Sequence, residues 1–270
     1  MGITVNNPGV LTTVQDFGRF GYQQFGVSAS GVMDPRAMSL ANLLVGNPED
    51  EAVLECTMMG PELVFDKANV IAVTGGNLQP MIDGAPIDNY RAVAVGEGQT
   101  LRFMGPKTGL RAYIAFAGGL DIEPVMGSRS THMKAKIGGF QGRKLDKGDQ
   151  IGFRAPKETL KNMDLRSMAP EFIPRPEYIL RVVMGPQDDY FTDAGIQTFL
   201  SEVYTLTPEF DRMGCRLDGP IIAHKDGGDI ISDGIAFGAI QVPSAGTPII
   251  MVADRQTTGG YTKIANVITA

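Results

Sequence analysis

Residues 68–76, ANVIAVTGG, and residues 110–120, LRAYIAFAGGL, decide the fold of this chain. Each segment contains a continuous apolar run, 70–73 in the first and 113–117 in the second, followed closely by a pair of glycines. A short apolar run that contains β-branched or aromatic residues and stops near glycine is typical of a strand with both faces covered. We therefore predict two strands that are buried on both sides.

Further strand-like segments surround these two, with glycine or proline between them. The chain has 34 Gly and 17 Pro but no Trp, a composition that favours many short strands joined by tight turns. This rhythm is typical of a β-barrel or β-sandwich, so we predict a mostly β fold. The segments are AVLECTMMG (52–60), ELVF (62–65), RAVAV (91–95) and TLRFMG (100–105).

One segment has the periodicity of a helix. Asp34 and Pro35 form a typical N-cap and first-turn pair, and apolar residues then recur at helical spacing until Gly46 and Asn47. We predict a helix of about three turns here. The glycine-rich loop before it would deliver backbone amides to the helix N-terminus, where the partial positive charge favours an anion.

The length of 270 residues favours two domains. Residues 154–177 are charged and rich in proline, without a periodic apolar face, which is typical of a linker. We predict a first domain at 1–155, a linker at 156–177 and a second domain at 178–270. The second half repeats features of the first, and on that comparison we expect the second domain to lack its closing strand.

Charge and cysteine content exclude several classes of protein. The net charge is −6 and there is no basic run, so binding to nucleic acid or to a membrane surface is not expected. Cys56 and Cys215 stand far apart, as in a protein of a reducing compartment. Without a signal peptide or an apolar span, the sequence predicts a cytoplasmic protein that binds a small molecule or another protein.

Several catalytic and metal-binding motifs are absent from the sequence. It has no P-loop, no G-x-G-x-x-G and no H-E-x-x-H, and His132 and His224 stand apart from other metal ligands, so no metal site is expected. Residues 132–136, HMKAK, lack the Ala-Met-Lys-Met core of a biotinylated hairpin. We therefore expect Lys134 and Lys136 to be solvated, with no covalent biotin on this chain.

Three polar, glycine-containing segments have the composition of a binding site: 12–47, 127–131 (GSRST) and 254–263 (DRQTTGGYTK). Arg129 and Lys263 stand beside hydroxyls and glycine amides, as binding of a carboxylate, phosphate or ureido oxygen requires. We predict that the three segments meet in one cleft. The candidate binding residues are Arg19, Ser30, Asp34, Asn42, Ser130, Thr131, Gln187, Arg212, Gln241, Gln256 and Thr257.

Two of these candidates have open alternatives. Asp211 and Arg212 are adjacent, and an ion pair that fixes a turn is as good an interpretation as a role in binding. Ser30 stands next to Gly31 and no base is evident nearby, so it is expected to donate a hydrogen bond rather than to act as a nucleophile.

The same segments resemble the allophanate hydrolase subunit 2 family, also called the biotin-dependent carboxyltransferase-like family. The similarity extends from Ile3 to the last residues and rests on motifs in the same order. Members include the C subunit of bacterial ATP-dependent 5-oxoprolinase (PxpC) and KipA, which antagonises a sporulation-kinase inhibitor. The motifs are TTVQDFGR, SGVMD, GSRST, GPQDDYF, DRMGCRL, SDGI, IQVP and DRQTTGGYTKIA.

The resemblance implies two cyclophilin-like β-barrels and a subunit of an ATP-dependent 5-oxoprolinase that opens the lactam of 5-oxoproline to L-glutamate. It also implies a subunit-1-type partner (PxpB- or KipI-like) and a PxpA-like protein, with the chain inactive alone. ATP, with Mg as a candidate companion, would be bound together with the partner subunit. The alternatives are a biotin-dependent carboxyltransferase acting on a urea-like substrate and a non-catalytic regulator of the KipA type.

For the 5-oxoprolinase reaction, the resemblance suggests roles for individual residues. Arg129 and Lys263 would face the phosphate or the carboxylate, while Asp16 and Asp254 would accept protons or orient the cations. The residues expected to position the lactam are Gln256, Thr257 and Ser130.

Overall fold

A computed structural model gives the structure of this chain and describes residues 2–170 and 175–268. The chain divides into two compact units. The first comprises Met1–Arg19 and Ser30–Arg175, and the second comprises Phe20–Ala29 and Pro176–Ala270. Residues 171–174 of the predicted linker and residues 269–270 of the predicted second domain lie outside the described residues, and the predicted boundaries stay predictions.

The first unit contains two antiparallel sheets. One has the strand order β11-β1-β4-β9-β6-β7, and the other has the order β2-β3-β10-β5-β8. The strands are β1 (Gly2–Asn7), β2 (Leu11–Gln15), β3 (Val53–Thr57), β4 (Glu62–Phe65), β5 (Asn69–Asn77), β6 (Pro80–Ile82), β7 (Ala85–Pro86), β8 (Ala92–Val95), β9 (Thr100–Phe103), β10 (Thr108–Phe116) and β11 (Gln150–Gly152).

Residues of both sheets share one buried apolar core. Ile3 and Phe65 come from one sheet, and Ile71 and Ile114 come from the other. Because successive side chains of a strand point to opposite faces, Ile114 enters this core while Tyr113 and Ala115 belong to a second apolar cluster. Both predicted apolar runs, 70–73 and 113–117, are buried throughout, which confirms the prediction of strands covered on both sides.

The second apolar cluster lies under helix α1, Pro35–Leu44. Met38 and Ala41 of the helix are buried with Val70 and Tyr113 of the sheet β2-β3-β10-β5-β8. The carboxylate of Asp34 accepts a hydrogen bond of 3.0 Å from the amide of Ala37, which satisfies one of the unpaired donors of the first turn. The predicted helix and its N-cap are therefore confirmed.

The second unit contains one antiparallel sheet of order β12-β18-β16-β17-β14-β13, with β15 paired to β18. Helix α2, Asp193–Ser201, follows the N-cap Thr192, and its Ile196 packs against the core of Ile240, Val242 and Ile264. The strands are β12 (Val182–Met184), β13 (Thr205–Phe210), β14 (Gly214–Asp218), β15 (Asp229–Gly234), β16 (Ala239–Val242), β17 (Ile249–Met251) and β18 (Thr258–Val267).

The predicted mostly β fold with a few short helices is confirmed. Besides α1 and α2, the described residues contain three 3₁₀ turns, at Gln23–Phe25, Met163–Leu165 and Asp188–Tyr190. In the described part of the chain, the strand order of each sheet is open rather than closed into a ring. Among the helices found there, none has the length and apolar character needed to cross a bilayer.

The N-cap of α1 gives a test of the role of Asp34. The substitution Asp34→Ala removes the acceptor for the Ala37 amide and should lower the free energy of unfolding by about 1 kcal/mol. Asp34→Ser keeps a capping oxygen and should cost only a fraction of that. Urea unfolding monitored by circular dichroism measures both. Equal stability of the alanine variant and the parent would show that the cap contributes nothing and would favour a role confined to binding.

Candidate functional site

The carboxylate of Asp16, at the end of β2, is the centre of a buried cluster in the first unit. Its Oδ1 accepts hydrogen bonds from the hydroxyls of Ser128 (2.6 Å) and Ser130 (2.5 Å) and from the amide of Gly18 (2.8 Å). Its Oδ2 accepts one from the amide of Arg129, at 2.6 Å. We call this group, with Arg19, the Asp16 cluster. Since the carboxylate is surrounded by donors, its geometry favours the predicted orienting role over that of a proton acceptor.

Arg19 is buried within this cluster. Its Nη2 donates to the carbonyl oxygen of Ser130, and its Nε donates to that of Val125 at 3.4 Å. Gly138 makes this packing possible: a Cβ at that position would lie 2.2 Å from Nη2 of Arg19, and the backbone there has a φ of +66°. The guanidinium of Arg19 therefore holds the backbone of the 125–130 turn through its carbonyl oxygens, whereas Asp16 holds the same turn through its donors.

Arg129 differs from Arg19 because its guanidinium is only partly used. Its Nε donates to the carbonyl oxygen of Ile122 at 2.8 Å, and the side chain is half-buried. Its two terminal nitrogens make no hydrogen bond or ion pair with any other residue of the described ranges. A guanidinium held at one nitrogen, with its remaining donors available, can bind a carboxylate or phosphate with little loss of side-chain entropy.

Two buried polar atoms near this region have no hydrogen-bond partner among the described residues: Oε1 of Gln15 and Oγ of Ser30. The amide nitrogen of Gln15 donates to the carbonyl oxygen of Thr131 (3.2 Å), whose own hydroxyl donates to Val14 (2.9 Å). Ser30 has a φ of +56°, a left-handed conformation that is unfavourable for serine. Strained and unsatisfied polar groups of this kind are concentrated at binding sites.

Asp34 and Asn42 use their hydrogen bonds within the fold. Asp34 caps α1, and the side-chain amide of Asn42 donates to the carbonyl oxygens of Glu49 (3.2 Å) and Glu51 (2.7 Å). Asn42 is also fully buried. These contacts account for both residues structurally, and their predicted contact with substrate stays a prediction.

In the second unit, Arg212 and Asp254 form a buried, bidentate ion pair. Nε of Arg212 lies 2.9 Å from Oδ2 of Asp254, and Nη2 lies 3.1 Å from Oδ1. The bidentate partner is therefore Asp254, 42 residues away, rather than the adjacent Asp211 that the sequence suggested. The carboxylate of Asp211 accepts hydrogen bonds from the amides of Met213 and Gly214, because its short side chain easily reaches the backbone of its own turn.

A second polar group in this unit consists of Lys263, Gln241, Asp233 and Gln187, and we call it the Lys263 cluster. Gln241 of β16 and Lys263 of β18 are directly paired across the sheet, and both side chains are buried. Nζ of Lys263 lies 3.5 Å from Oδ2 of Asp233. The amide of Gln187 connects the group: it donates to Asp233 at 3.1 Å and accepts from the backbone nitrogen of Lys263 at 3.2 Å.

Gln256 and Thr257 lie in the loop between β17 and β18. The side chain of Gln256 is exposed and that of Thr257 is half-buried, and neither makes a hydrogen bond to another described residue. The carbonyl oxygen of Thr257 accepts from the amide of Ile235 at 3.0 Å, which fixes the backbone of this loop. Both side chains are thus available to a ligand.

Sequence reasoning missed Ser128 and Asp233, which belong to these clusters, and also the buried Glu55 of β3. Ser128 bonds Asp16, Asp233 faces Lys263, and the buried Glu55 accepts a hydrogen bond of 2.8 Å from the amide of Met33. Ser128 could have been found from the alternating hydroxyls of GSRST, and Asp233 from the SDGI motif. Glu55 gave no signal, because it occurs inside a strand of mostly apolar residues.

Burial also changes the acidity of a neighbouring group. The pKa of the Tyr113 hydroxyl is raised well above its usual range, chiefly by desolvation and further by the negative charge of Glu55. The hydroxyl therefore stays protonated, and its oxygen accepts a hydrogen bond of 2.9 Å from the amide of Asp34. This contact fixes the backbone that leads into α1.

The Asp16 cluster and the Lys263 cluster each lie within one unit of the chain. The structure thus brings together Asp16 with Arg19, Arg129 and Ser130 in the first unit. It brings together Lys263, Gln241 and Gln187 in the second. The predicted meeting of both groups in a single cleft stays a prediction.

Comparison with known proteins places these clusters in a family. Residues 25–270 match the sequence profile of the family described as carboxyltransferase domain, subdomains A and B. The chain is 35% identical to the C subunit of 5-oxoprolinase from Escherichia coli over 97% of this chain and 83% of that protein. It is 37% identical to the C subunit of 5-oxoprolinase from Haemophilus influenzae over 96% of this chain and 82% of that protein.

Solved structures give the same result. The crystal structure of TTHA0988 is similar with a TM-score of 0.87 and 32% identity, over 99% of this chain and 51% of that one, so this chain spans about half of that protein. The urea carboxylase of Kluyveromyces lactis is similar with a TM-score of 0.87 and 32% identity, over 98% of this chain and 25% of that one. The predicted family resemblance is confirmed, and the chain belongs to the carboxyltransferase domain family, subdomains A and B.

Proposed function

We propose that this chain is a subunit of an ATP-dependent 5-oxoprolinase, which opens the lactam of 5-oxoproline to give L-glutamate. The observation that carries the proposal is the identity of 35% and 37%, over nearly the whole chain, to two proteins named as the C subunit of 5-oxoprolinase. The free guanidinium donors of Arg129 and the buried ammonium of Lys263 supply the cationic groups that such a reaction needs.

The chemistry explains this need. The lactam of 5-oxoproline is a cyclic amide, and its resonance must be disrupted before water can attack the carbonyl carbon. Phosphorylation of the lactam oxygen would disrupt it, and the charge on the transferred group would be stabilised by preorganised donors. Arg129 fits this role, since its backbone is fixed by Asp16 while its terminal nitrogens remain available.

The two carboxylates act on the arginines rather than on the substrate. Asp16 fixes the backbone of Arg129, and Asp254 holds the guanidinium of Arg212 in a bidentate pair. Fixing cations in advance lowers the cost of reorganisation during the reaction. The residues left to position the lactam are those with unused hydrogen-bonding groups, Gln256 and Thr257 among them.

The remaining parts of the reaction belong to other chains. The sequence has no P-loop, so we expect ATP, with Mg as a candidate companion, to be bound together with a subunit-1-type partner of the PxpB or KipI kind. A PxpA-like protein would complete the assembly. On this proposal the chain is inactive alone and works in the cytoplasm, where ATP is supplied.

A second candidate function is carboxyl transfer from biotin to a urea-like substrate. The family profile and the similarity to urea carboxylase of Kluyveromyces lactis favour it. The biotin would be attached to another chain, since residues 132–136 lack the sequence around a biotinylated lysine. The predicted regulatory role of the KipA type has no comparable support.

Reconstitution tests the proposed function. The chain is mixed with its subunit-1-type and PxpA-like partners, 5-oxoproline and ATP, and the release of glutamate is measured. We expect release only when all three proteins and ATP are present. No release from the complete mixture would contradict the proposal, whereas carboxyl transfer that avidin inhibits would support the second candidate.

The role of Arg129 is tested in the same assay. Arg129→Ala should lower the rate of glutamate release by roughly 10- to 100-fold, as expected from the loss of one or two charge-assisted hydrogen bonds. Arg102→Ala, which removes an exposed arginine of β9 in the same unit, is the matched control and should not change the rate. An Arg129→Ala variant with the parent's melting temperature and the parent's rate would show that Arg129 does not contact the transferred group.

Substitution of Asp254 distinguishes two roles for its carboxylate: orienting Arg212 and acting as a base. Asp254→Asn removes the charge from the bidentate partner of the buried Arg212 and should lower the free energy of unfolding by about 3 kcal/mol. Asp226→Asn, at an exposed position of the same unit, should have no effect. Urea unfolding measures both variants. If Asp254 acts as a base and not as an orienting group, its asparagine variant will lose turnover at undiminished stability.

A further inference from the structure

A β-bulge brings Lys263 and Gln241 together. Strands β16 and β18 pair with Ile240 opposite Ala265, but the next residue, Gln241, lies opposite Lys263. Ile264 is therefore the extra residue, and it is buried in the core with Ile240. Without the bulge, Ile264 would stand opposite Gln241. Bulges redirect side chains in this way and are frequent beside binding sites.

Both members of the pair are buried and have unused donors. Lys263 is 3% exposed and Gln241 is 4% exposed. Within the part of the chain that the structure describes, neither Nζ of Lys263 nor Nε2 of Gln241 has a hydrogen-bond partner. Side chains directly opposite on antiparallel strands have Cβ atoms about 5 Å apart, so the two groups can reach the same ligand. Buried donors without acceptors are unfavourable for the fold, and such groups are found more often where a protein binds a ligand.

The space next to the pair is kept open by Gly259. A Cβ at this position would lie 2.7 Å from Nε2 of Gln241 and 2.7 Å from the side chain of Ile235. Gly259 is paired across the sheet with Asp233, whose carboxylate lies 3.5 Å from Nζ of Lys263. The carboxylate of Asp233 therefore lies on the Lys263 side of the pair, and Gly259 leaves space on the Gln241 side.

We propose that Lys263 and Gln241 form a recessed binding site for a carboxylate group of the ligand. The ammonium and the amide each donate to one carboxylate oxygen, and Gly259 leaves room for the group that carries it. This inference rests on the proposed function in identifying that group as the carboxylate of 5-oxoproline. It divides the predicted roles of the two cations: Lys263 takes the carboxylate, and Arg129 remains for the transferred group.

The charge of the cluster favours a carboxylate over a phosphate. Lys263 contributes one positive charge, and Asp233 lies close enough to offset it. Hydrogen bonds from the backbone amide of Gly234 and from the side-chain amide of Gln187, together with the charge of Lys263, lower the pKa of the Asp233 carboxyl and favour its ionised form. A monoanion would leave one net negative charge in the cluster, whereas a dianionic phosphate would leave two and would be repelled by Asp233.

Binding to the isolated chain tests this inference separately from turnover. The 270-residue protein is titrated with cyclopentanecarboxylate, which has the ring and the carboxylate but no lactam, with 2-pyrrolidinone, which has the lactam but no carboxylate, and with inorganic phosphate. The shift of the Gln241 side-chain amide in ¹H–¹⁵N NMR spectra reports binding. We expect saturable shifts with cyclopentanecarboxylate and none with the other two compounds.

These outcomes are independent of the proposed function. Carboxylate binding without any glutamate release in the reconstituted mixture would leave the site in place and remove only its identification with 5-oxoproline. Absence of binding by cyclopentanecarboxylate, or binding of phosphate or 2-pyrrolidinone at lower concentration, would overturn the inference.

Substitutions locate the site. Lys263→Met keeps the length of the side chain but removes the ammonium, and should weaken carboxylate binding at least about 10-fold. Gly259→Ala fills the space beside the amide without changing the charge, and should also weaken binding. Lys225→Met is the matched control, since Lys225 is an exposed lysine of the same unit, and it should bind as the parent does.

Melting temperature distinguishes a ligand-binding lysine from a structural one. A buried ammonium whose one charged partner is an exposed carboxylate 3.5 Å away gains little from that pair, so Lys263→Met should leave the melting temperature of the ligand-free protein unchanged or raise it. If the contact with Asp233 were the reason for the lysine, the variant would melt at a lower temperature. A lower melting temperature together with unchanged carboxylate binding by Gly259→Ala would overturn the assignment.

Discussion

A buried carboxylate needs hydrogen-bond donors around it, and this requirement determines how the Asp16 cluster of the first unit is assembled. Asp16 lies where β2 ends, and its partners Ser128, Arg129 and Ser130 are more than a hundred residues later in the sequence. An ionised group removed from water without partners would cost several kcal/mol. The cost is avoided when the end of β2 packs against the 125–130 turn, which supplies the donors. This contact also fixes the position of Arg129.

The second unit meets the same requirement differently. The pairing of Arg212 with Asp254 is complete, because both nitrogens of the fork reach a carboxylate oxygen. The Nζ of Lys263 has only a longer contact, 3.5 Å, with the exposed carboxylate of Asp233 and no hydrogen bond to a described residue. Arg212 thus stabilises the fold through its ion pair with Asp254. Lys263, in contrast, keeps hydrogen-bond donors for which the described residues provide no acceptor. Departures of this kind from full polar satisfaction are expected at sites that bind something.

The sequence was sufficient to predict the features that depend on neighbouring residues. The apolar runs at 70–73 and 113–117, the N-cap at Asp34 and the helix that follows it depend on local periodicity and capping, and each was found. The polar segments were recognisable for the same reason, since glycines and hydroxyls cluster in them. Pairings between distant residues were not predictable. Arg212 forms its bidentate pair with a residue 42 positions away, because strand order decides which side chains face each other.

The bulge in β18 has a consequence for how the family can diverge. In β18 the supernumerary residue Ile264 separates Lys263 from Ala265, so that Lys263 and not Ile264 lies opposite Gln241. Loss of that single codon would restore a regular ladder with Lys263 still opposite Gln241, but it would remove the local bend and the increased twist that a bulge gives its strand. Relatives that conserve every polar residue of this strand could therefore still differ, through length alone, in the direction from which Lys263 reaches a ligand.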